Sequence, residues 1–488
     1  KMCIQGSDRS EWRAKKTVVL NVVALTKEYL SEEDTPNLWK FTNGGEDAVN
    51  VKPPFPAVTC VSQTTYLTGV NPSEHGVTAN GYYNEEMKQV VNWHQSAGNV
   101  KAERLYAKLK RVDPTATVFV HTWWYSMYDE NIDYFVTVRP EYHANGKKSP
   151  NTYAKPHSMR DHLHEKFGKY PLHRFWGPLT SIESSRWIAN TAMEVDKMHD
   201  PTLTMVYLPH LDYSLQKFGT DKGMKHVKED LKEIDKVVGD LVSYYQSKEA
   251  EVVILSEYGI SPVTRAVDIN RVLRKAGHIS VIKERGGETL DYGASRAFAT
   301  VDHQVAHVHV NDKTAIEDVK NLLLGVDGIA KVLSESEMTE TYYPGRCGDL
   351  VCIAEPDSWF TYYFWEEEKM APDYAHCVDI HTKPGYDPTE MFLRFERPFK
   401  LFGVIHLIFK AVLSNMVGIR TLVDATPTDR ASEIRGSHGV LPTEEKYMPI
   451  LSHRTIRELV GQDESVPVPA TDICSILMKV LVTRSDPL

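Results

Sequence analysis

The sequence is poor in cysteine. Six are scattered through 488 residues (Cys3, Cys60, Cys347, Cys352, Cys377 and Cys474) without CxxC spacing. That excludes a disulfide framework or a zinc ribbon and points to a reducing compartment. Residues 1–16 are polar and charged, with no visible signal peptide, so the expected location is the cytoplasm or an organelle interior. Long basic blocks are also missing, and 56 Lys and Arg against 66 Asp and Glu leave a net charge of −10. A nucleic-acid polymer is thereby excluded as the main partner, because its binding needs a concentrated positive surface. A small anionic substrate needs only one local pocket. Neither internal repeats nor low-complexity tracts occur.

Long apolar runs are nearly absent too. The exception is 399–419, FKLFGVIHLIFKAVLSNMVGI, which holds Lys400 and Lys410 and is followed by Arg420. Two lysines and His406 make a membrane span costly. The run therefore reads as a buried helix or a strand plus helix, with a helix lying at a membrane surface as the alternative.

What is present is a globular balance, 42% hydrophobic and 25% charged residues, in a chain long enough for one large α/β domain with insertions. Continuous apolar runs rich in β-branched residues recur at 17–24, 116–121, 203–208 and 251–255, as strands covered on both faces require. Between the last two, the stripe Val227, Leu231, Ile234, Val238, Leu241 and Tyr245 predicts a helix over 224–245. Strand, helix, strand in this order means a parallel sheet with helices on its faces. Residues 123–187 are rich in Tyr, Trp, His and Pro with weak periodicity and read as an insertion able to cap a site. After Arg296 the pattern suggests a small β-α-β unit. The expected division is core at 16–122, cap-like insertion at 123–200, core at 201–295, small unit at 296–360 and a completing segment at 361–488.

The segment 56–76, PAVTCVSQTTYLTGVNPSEHG, carries the chemistry. Thr59 stands just before a helix expected to start near Val61, where unpaired backbone N–H groups favour an anion. The same field suits a nucleophile attacking phosphorus, although a Thr there is also an ordinary N-cap. Cys60 is a rival nucleophile with nothing nearby to make it a thiolate.

In Pro56, Thr59, Thr68, Gly69, Pro72, His75 and Gly76 this segment resembles the nucleophile region of type I phosphodiesterases and nucleotide pyrophosphatases, in the alkaline-phosphatase-like superfamily. Further landmarks follow in family order. VYLPHLDYSLQKFG is similar to the motif with an Asp and, four residues on, a His; Asp212 fills the first place and Gln216 the second. VVILSEYGI resembles the S-D-H-G motif, with Glu257 and Tyr258 for Asp and His. GSHGVLP resembles the late HG motif, with His438. The Asp-Gly pair that usually ends the first strand is replaced, on this reading by Ala24 and Leu25.

The resemblance implies an α/β fold: an alkaline-phosphatase-like core with a mostly parallel sheet, a cap insertion and a small β-α-β subdomain. It implies a metal-dependent hydrolase of a phosphodiester or pyrophosphate bond, with Thr59 as nucleophile and one or two divalent ions, zinc first with manganese and iron as alternatives. Asp212, Glu257 and His438 are the expected ligands. Possible replacements are His381, from the loop DIHTKPG, and after it His210, Gln216 and Asp379. His303 and His307 are weaker ones, read as lying on one strand. Ser62, Trp124 and Lys383 are candidates for substrate contact, with Arg186 and Arg435 as further cations. The expected partner is a small phosphorylated molecule, a nucleotide or a lipid-linked phosphate, with peripheral membrane contact in the latter case. The alternative, prompted by the losses at 24, 216 and 258, is a member that binds a phosphorylated ligand or a protein without hydrolysis.

Overall fold

The computed structural model describes residues 12–144, 148–394, 424–461 and 466–484. Of the remaining stretch only Gly403, Ile405, Phe409, Val412 and Leu413 are described, all helical. The rest of the 399–419 run lies outside the described residues. Ile405, Phe409, Val412 and Leu413 are exposed. Among the described residues no helix is long and apolar enough to cross a membrane.

The chain lays down strands β1 (Thr17–Val22), β2 (Ala48–Lys52), β3 (Val118–His121), β4 (Tyr134–Val138), β5 (Thr152–Lys155), β6 (Leu203–Leu208) and β7 (Glu251–Leu255). It then builds a four-strand unit from β8 (Ala297–Asp302), β9 (Val305–Val310), β10 (Ile329–Ser334) and β11 (Leu350–Ala354), and returns with β12 (Ile450–Ser452) and β13 (Val468–Pro469). The large sheet is mixed, in the order β5-β4-β3-β6-β1-β7-β12-β2-β13. It is parallel from β4 through β7, with antiparallel pairs at β5–β4, β7–β12 and β12–β2.

Successive side chains of β1 point to opposite faces, so the strand divides its residues between two cores. Val18, Leu20 and Val22 pack on one face with Ile188 and Val195 of α2 (Glu183–His199) and with Ile234 and Val238 of α4 (Lys225–Gln246). Val19 lies on the other face with Leu67 of α1 (Thr59–Thr68) and Leu477 of α6 (Ile473–Leu481). All six stripe residues expected of the 224–245 helix are buried in α4. Between α2 and α4 runs α3 (His210–Phe218), directly after β6. The small unit is an antiparallel sheet, order β8-β9-β11-β10, with α5 (Ile316–Leu324) inserted before β10. The region read as a cap contributes β4 and β5 to the edge of the large sheet, because its apolar residues Phe135, Val136, Val138 and Ala154 are buried there.

A short pairing of Ser261–Pro262 with Gly436–Ser437 brings the last segment onto the core. A Cβ on Gly436 would stand 2.3 Å from Leu215 O and 2.7 Å from Ile260 Cγ2. Gly436→Ala is therefore expected to lower stability by about 1–3 kcal/mol through overpacking, read as a reduced urea midpoint. An unchanged midpoint would show that this close approach is not required.

Candidate active site

Ligand clefts in open α/β sheets form beyond the carboxyl ends of the strands, and here those ends gather a buried polar cluster. Helix α1 begins at Thr59 itself, with Val58 in extended conformation as its N-cap. The helix thus starts two residues earlier than the sequence suggested, and Thr59 is its first residue, not its cap. The Thr59 hydroxyl lies 3.2 Å from Tyr258 OH. Tyr258 OH donates to Asp212 Oδ1 at 3.2 Å, and Gln216 Nε2 donates to Asp212 Oδ2 at 2.7 Å. Tyr386 OH donates to Gln216 Oε1 at 2.8 Å. Tyr258 has one proton and gives it to Asp212, so Thr59 is the donor in the first pair. Burial raises Asp212 to about 7, with the Tyr258 and Gln216 hydrogen bonds pulling the other way.

His438 closes the cluster. Its Nδ1 lies 2.8 Å from the Ala57 carbonyl oxygen and so carries the proton. Burial drives its pKa well below the ordinary 6.5, leaving a neutral ring whose Nε2 lone pair meets no donor. That lone pair is 3.9 Å from Asp212 Oδ1. The ring stacks on Tyr258 at 3.6 Å and meets His303 at 3.8 Å. His303 itself stacks on Tyr386 at 3.6 Å. It stands in the β8–β9 turn with φ 60° and holds Asp302 Oδ1 at 2.7 Å through Nδ1. The backbone N–H of Asn80 donates to Asp302, and Asn80 Oδ1 accepts from Cys60 N–H at 2.9 Å. The small sheet is thereby tied to the first turn of α1.

Glu257 is held differently. Its Oε1 accepts from Asn21 Nδ2 at 2.6 Å and from Gln63 Nε2, while Oε2 has no partner. Burial raises this carboxyl to about 8, against hydrogen bonds from Gln63, Asn21 and Thr59. Gln63 is fixed in turn by the backbone N–H of Trp124. Cys60 is fully buried and burial pushes its thiol up, which removes the thiolate a nucleophile needs.

These residues do not fit a two-ion centre. The ion nearest Thr59 would need oxygen or nitrogen from the end of β1, from Glu257 and from position 258. Ala24 is the left-handed residue there, with φ 63°. That conformation suits the glycine of the Asp-Gly pair, so the pair's places are Val23 and Ala24, one residue earlier than the sequence register gave, and neither side chain is a ligand. Glu257 Oε1 is taken by two amides while its Oε2 stays unpartnered, and the Tyr258 phenol is pushed well above 10 by burial. On the other side, Asp212 and His438 still face each other, but Gln216 turns its nitrogen to Asp212 and its oxygen to Tyr386.

Other expected residues lie elsewhere. His381 is exposed, with Nδ1 on the Asn92 carbonyl oxygen at 3.0 Å, and Asp379 pairs with Lys148 and Thr382, so that loop supplies no ligand. Lys383 is buried between Asp387 and Glu390 at 2.7 Å each, which leaves no charge for a substrate. Arg435 donates to the Ser432 and Ile434 carbonyl oxygens, and Arg186 pairs with Glu183 and Glu233. Ser62 is buried with its hydroxyl unpartnered, and Trp124 is half-buried against Trp93. His210 sits beside Asp230 and Glu233, the sole group of three with metal-ligating side chains together among the described residues. His303 and His307 do not share a strand, since His303 is in the turn. The sequence reading missed Tyr386, Asn80, Asn21 and Gln63, which carry no local pattern.

Glu257→Gln tests this arrangement. A carboxyl raised from 4.5 to about 8 binds its proton more tightly folded than unfolded, so its stabilising contribution is lost as pH rises between those values. The variant should show a flatter dependence of the urea midpoint over that window and equal or greater stability at its alkaline end. A loss of stability at that end would mean that Glu257 works ionised.

The family of type I phosphodiesterases and nucleotide pyrophosphatases matches residues 17–387. An ectonucleotide pyrophosphatase/phosphodiesterase of Caenorhabditis elegans is 21% identical over 389 residues, covering 77% of this chain and 43% of that protein. The chain spans less than half the length of the first curated relatives it matches. Murine ectonucleotide pyrophosphatase/phosphodiesterase 5, an inactive form in complex with AMP, superposes with a TM-score of 0.55 at 13% identity, covering 96% of this chain and 94% of that one. Phosphonoacetate hydrolase of Sinorhizobium meliloti, in complex with phosphonoformate, gives 0.57 at 12% identity, covering 96% of each. Members of the family generally depend on divalent metal, zinc typically. With the family matched over most of the chain and its fold shared throughout, this protein belongs to the type I phosphodiesterase / nucleotide pyrophosphatase family of phosphoric ester hydrolases, in the alkaline-phosphatase-like superfamily.

Proposed function

We propose that the chain hydrolyses a phosphodiester or pyrophosphate bond with Thr59 as nucleophile, its proton leaving through Tyr258 to Asp212. The observation that carries this reading is the continuous Thr59–Tyr258–Asp212 chain, 3.2 Å at each link. As the Thr59 oxygen bonds to phosphorus and the bond to the leaving oxygen breaks, the Thr59 proton passes to Tyr258 and the Tyr258 proton to Asp212. Charge on the phosphoryl oxygens meets the amino end of α1, where backbone N–H groups and the helix dipole favour an anion. Water then attacks phosphorus and displaces the Thr59 oxygen, which regains its proton from Tyr258 as Tyr258 regains its own from Asp212, and the water's remaining proton leaves with the acidic phosphate product. No step runs through a metal ion, because the side chains around Thr59 do not fit one. The AMP and phosphonoformate held by the structural relatives support a small phosphorylated ligand for this chain. The exposed apolar residues Ile405, Phe409, Val412 and Leu413 favour a lipid-linked phosphate within that class.

A second reading, binding without hydrolysis, is favoured by burial. Thr59, Tyr258 and His438 are 3%, 2% and 2% exposed, so turnover requires the cluster to open.

Bis-p-nitrophenyl phosphate separates the two readings. Thr59→Ala should abolish its hydrolysis with the fold retained. Tyr258→Phe, which keeps the stack on His438 but breaks the chain, should lower kcat roughly 100-fold. Full activity in either variant contradicts the proposed route, and a wild-type protein that binds AMP without turning over phosphoric esters is the second reading. Chelation should leave turnover intact, whereas its loss would mean that Asp212 and His438 work through an ion.

A further inference from the structure

Outside the Thr59 cluster, one group of side chains has the composition of a cation site. His210 opens α3 directly after β6, and Asp230 and Glu233 stand three residues apart on α4, which packs against α3. His210 Nε2 lies 3.1 Å from Asp230 Oδ1 and 3.8 Å from Glu233 Oε2. One ligand atom from each residue falls within 4.8 Å of the others. The imidazole is 3% exposed, and neither of its buried nitrogens has a hydrogen-bond partner. Leaving a buried polar atom unpaired is costly, and the nearby carboxylates do not relieve the cost, since neither accepts a hydrogen bond from the ring.

Their position suits an ion better than a proton. Metal bonds of about 2.0–2.2 Å to nitrogen and oxygen bring two ligand atoms to about 3–4 Å from each other, the range of both His210 contacts. The Asp230 and Glu233 side chains are 22% and 41% exposed, so an ion can enter from solvent and keep water on its remaining positions. Arg186 reaches Glu233 through Oε1 at 3.5 Å and is itself paired with Glu183, which leaves Glu233 Oε2 facing the cluster.

We propose that His210, Asp230 and Glu233 bind a divalent transition-metal ion with nitrogen and oxygen preference, zinc or manganese. Such an ion pins the head of α3 to α4 and stabilises the folded chain. The proposal is independent of the Thr59 chemistry. Its test uses the full chain, stripped by a chelator, dialysed and titrated with Zn2+ alone or Mn2+ alone by calorimetry and thermal unfolding. Saturable binding with a raised unfolding midpoint is expected. The double variant Asp230→Asn/Glu233→Gln, altered only at partly exposed oxygens, should bind at least about tenfold more weakly and lose the rise, while His438→Ala keeps both. The proposal is overturned if neither ion binds, if the double variant retains the affinity and the rise, or if His438→Ala abolishes them.

Discussion

The arrangement of this site turns on one phenol. Tyr258 stands at the end of β7, where the family sequence has a histidine, and its hydroxyl lies between Thr59 and Asp212. A phenol at that point removes a nitrogen ligand and places a hydroxyl between Thr59 and Asp212. Its neighbours are consistent with that exchange. Gln216 gives Asp212 a hydrogen bond in place of a shared ion, Tyr386 fixes the Gln216 amide, and the neutral His438 ring packs on the phenol face. Two of the replaced ligand positions, Tyr258 and Gln216, thus hydrogen-bond the same Asp212 carboxylate, while the apolar Val23 and Ala24 at the end of β1 make no such bond.

That arrangement is supported by contacts across long stretches of sequence. Asn21 of β1 reaches Glu257 over 236 residues, and Asn80 reaches Asp302 over 222. The second link fastens the small antiparallel unit to the amino end of α1 and brings the β8–β9 turn, with His303, against His438 and Tyr386. Burying so many polar groups is tolerated because most of them are paired; His438 Nε2, Glu257 Oε2, Asn21 Oδ1 and the Ser62 hydroxyl are unpaired.

The sequence made the scaffold legible because double-sided burial leaves a mark on it. Strands β1, β6 and β7 read as unbroken apolar runs, and α4 shows its stripe at every expected position. The helix that begins at Thr59 was legible to within two residues from the sequence around it. What could not be read was which polar residues meet. His381 looked better placed than His303 because a DIH-Lys-Pro-Gly loop resembles a presenting turn, whereas the DHQV hairpin hid inside an apparently continuous strand. The one-residue error at Ala24 has a similar origin, since a left-handed alanine carries no signal that distinguishes it from its neighbours. Amide and hydroxyl contacts such as Gln63–Glu257 leave no period at all.

The most direct test of the central claim is to quench a reaction with a nucleotide phosphodiester in acid during turnover and map the peptides by mass. The account predicts a phosphoryl or nucleotidyl adduct on Thr59, within the peptide that holds the start of α1. Turnover that proceeds with unmodified Thr59 and with the adduct elsewhere or nowhere would contradict it.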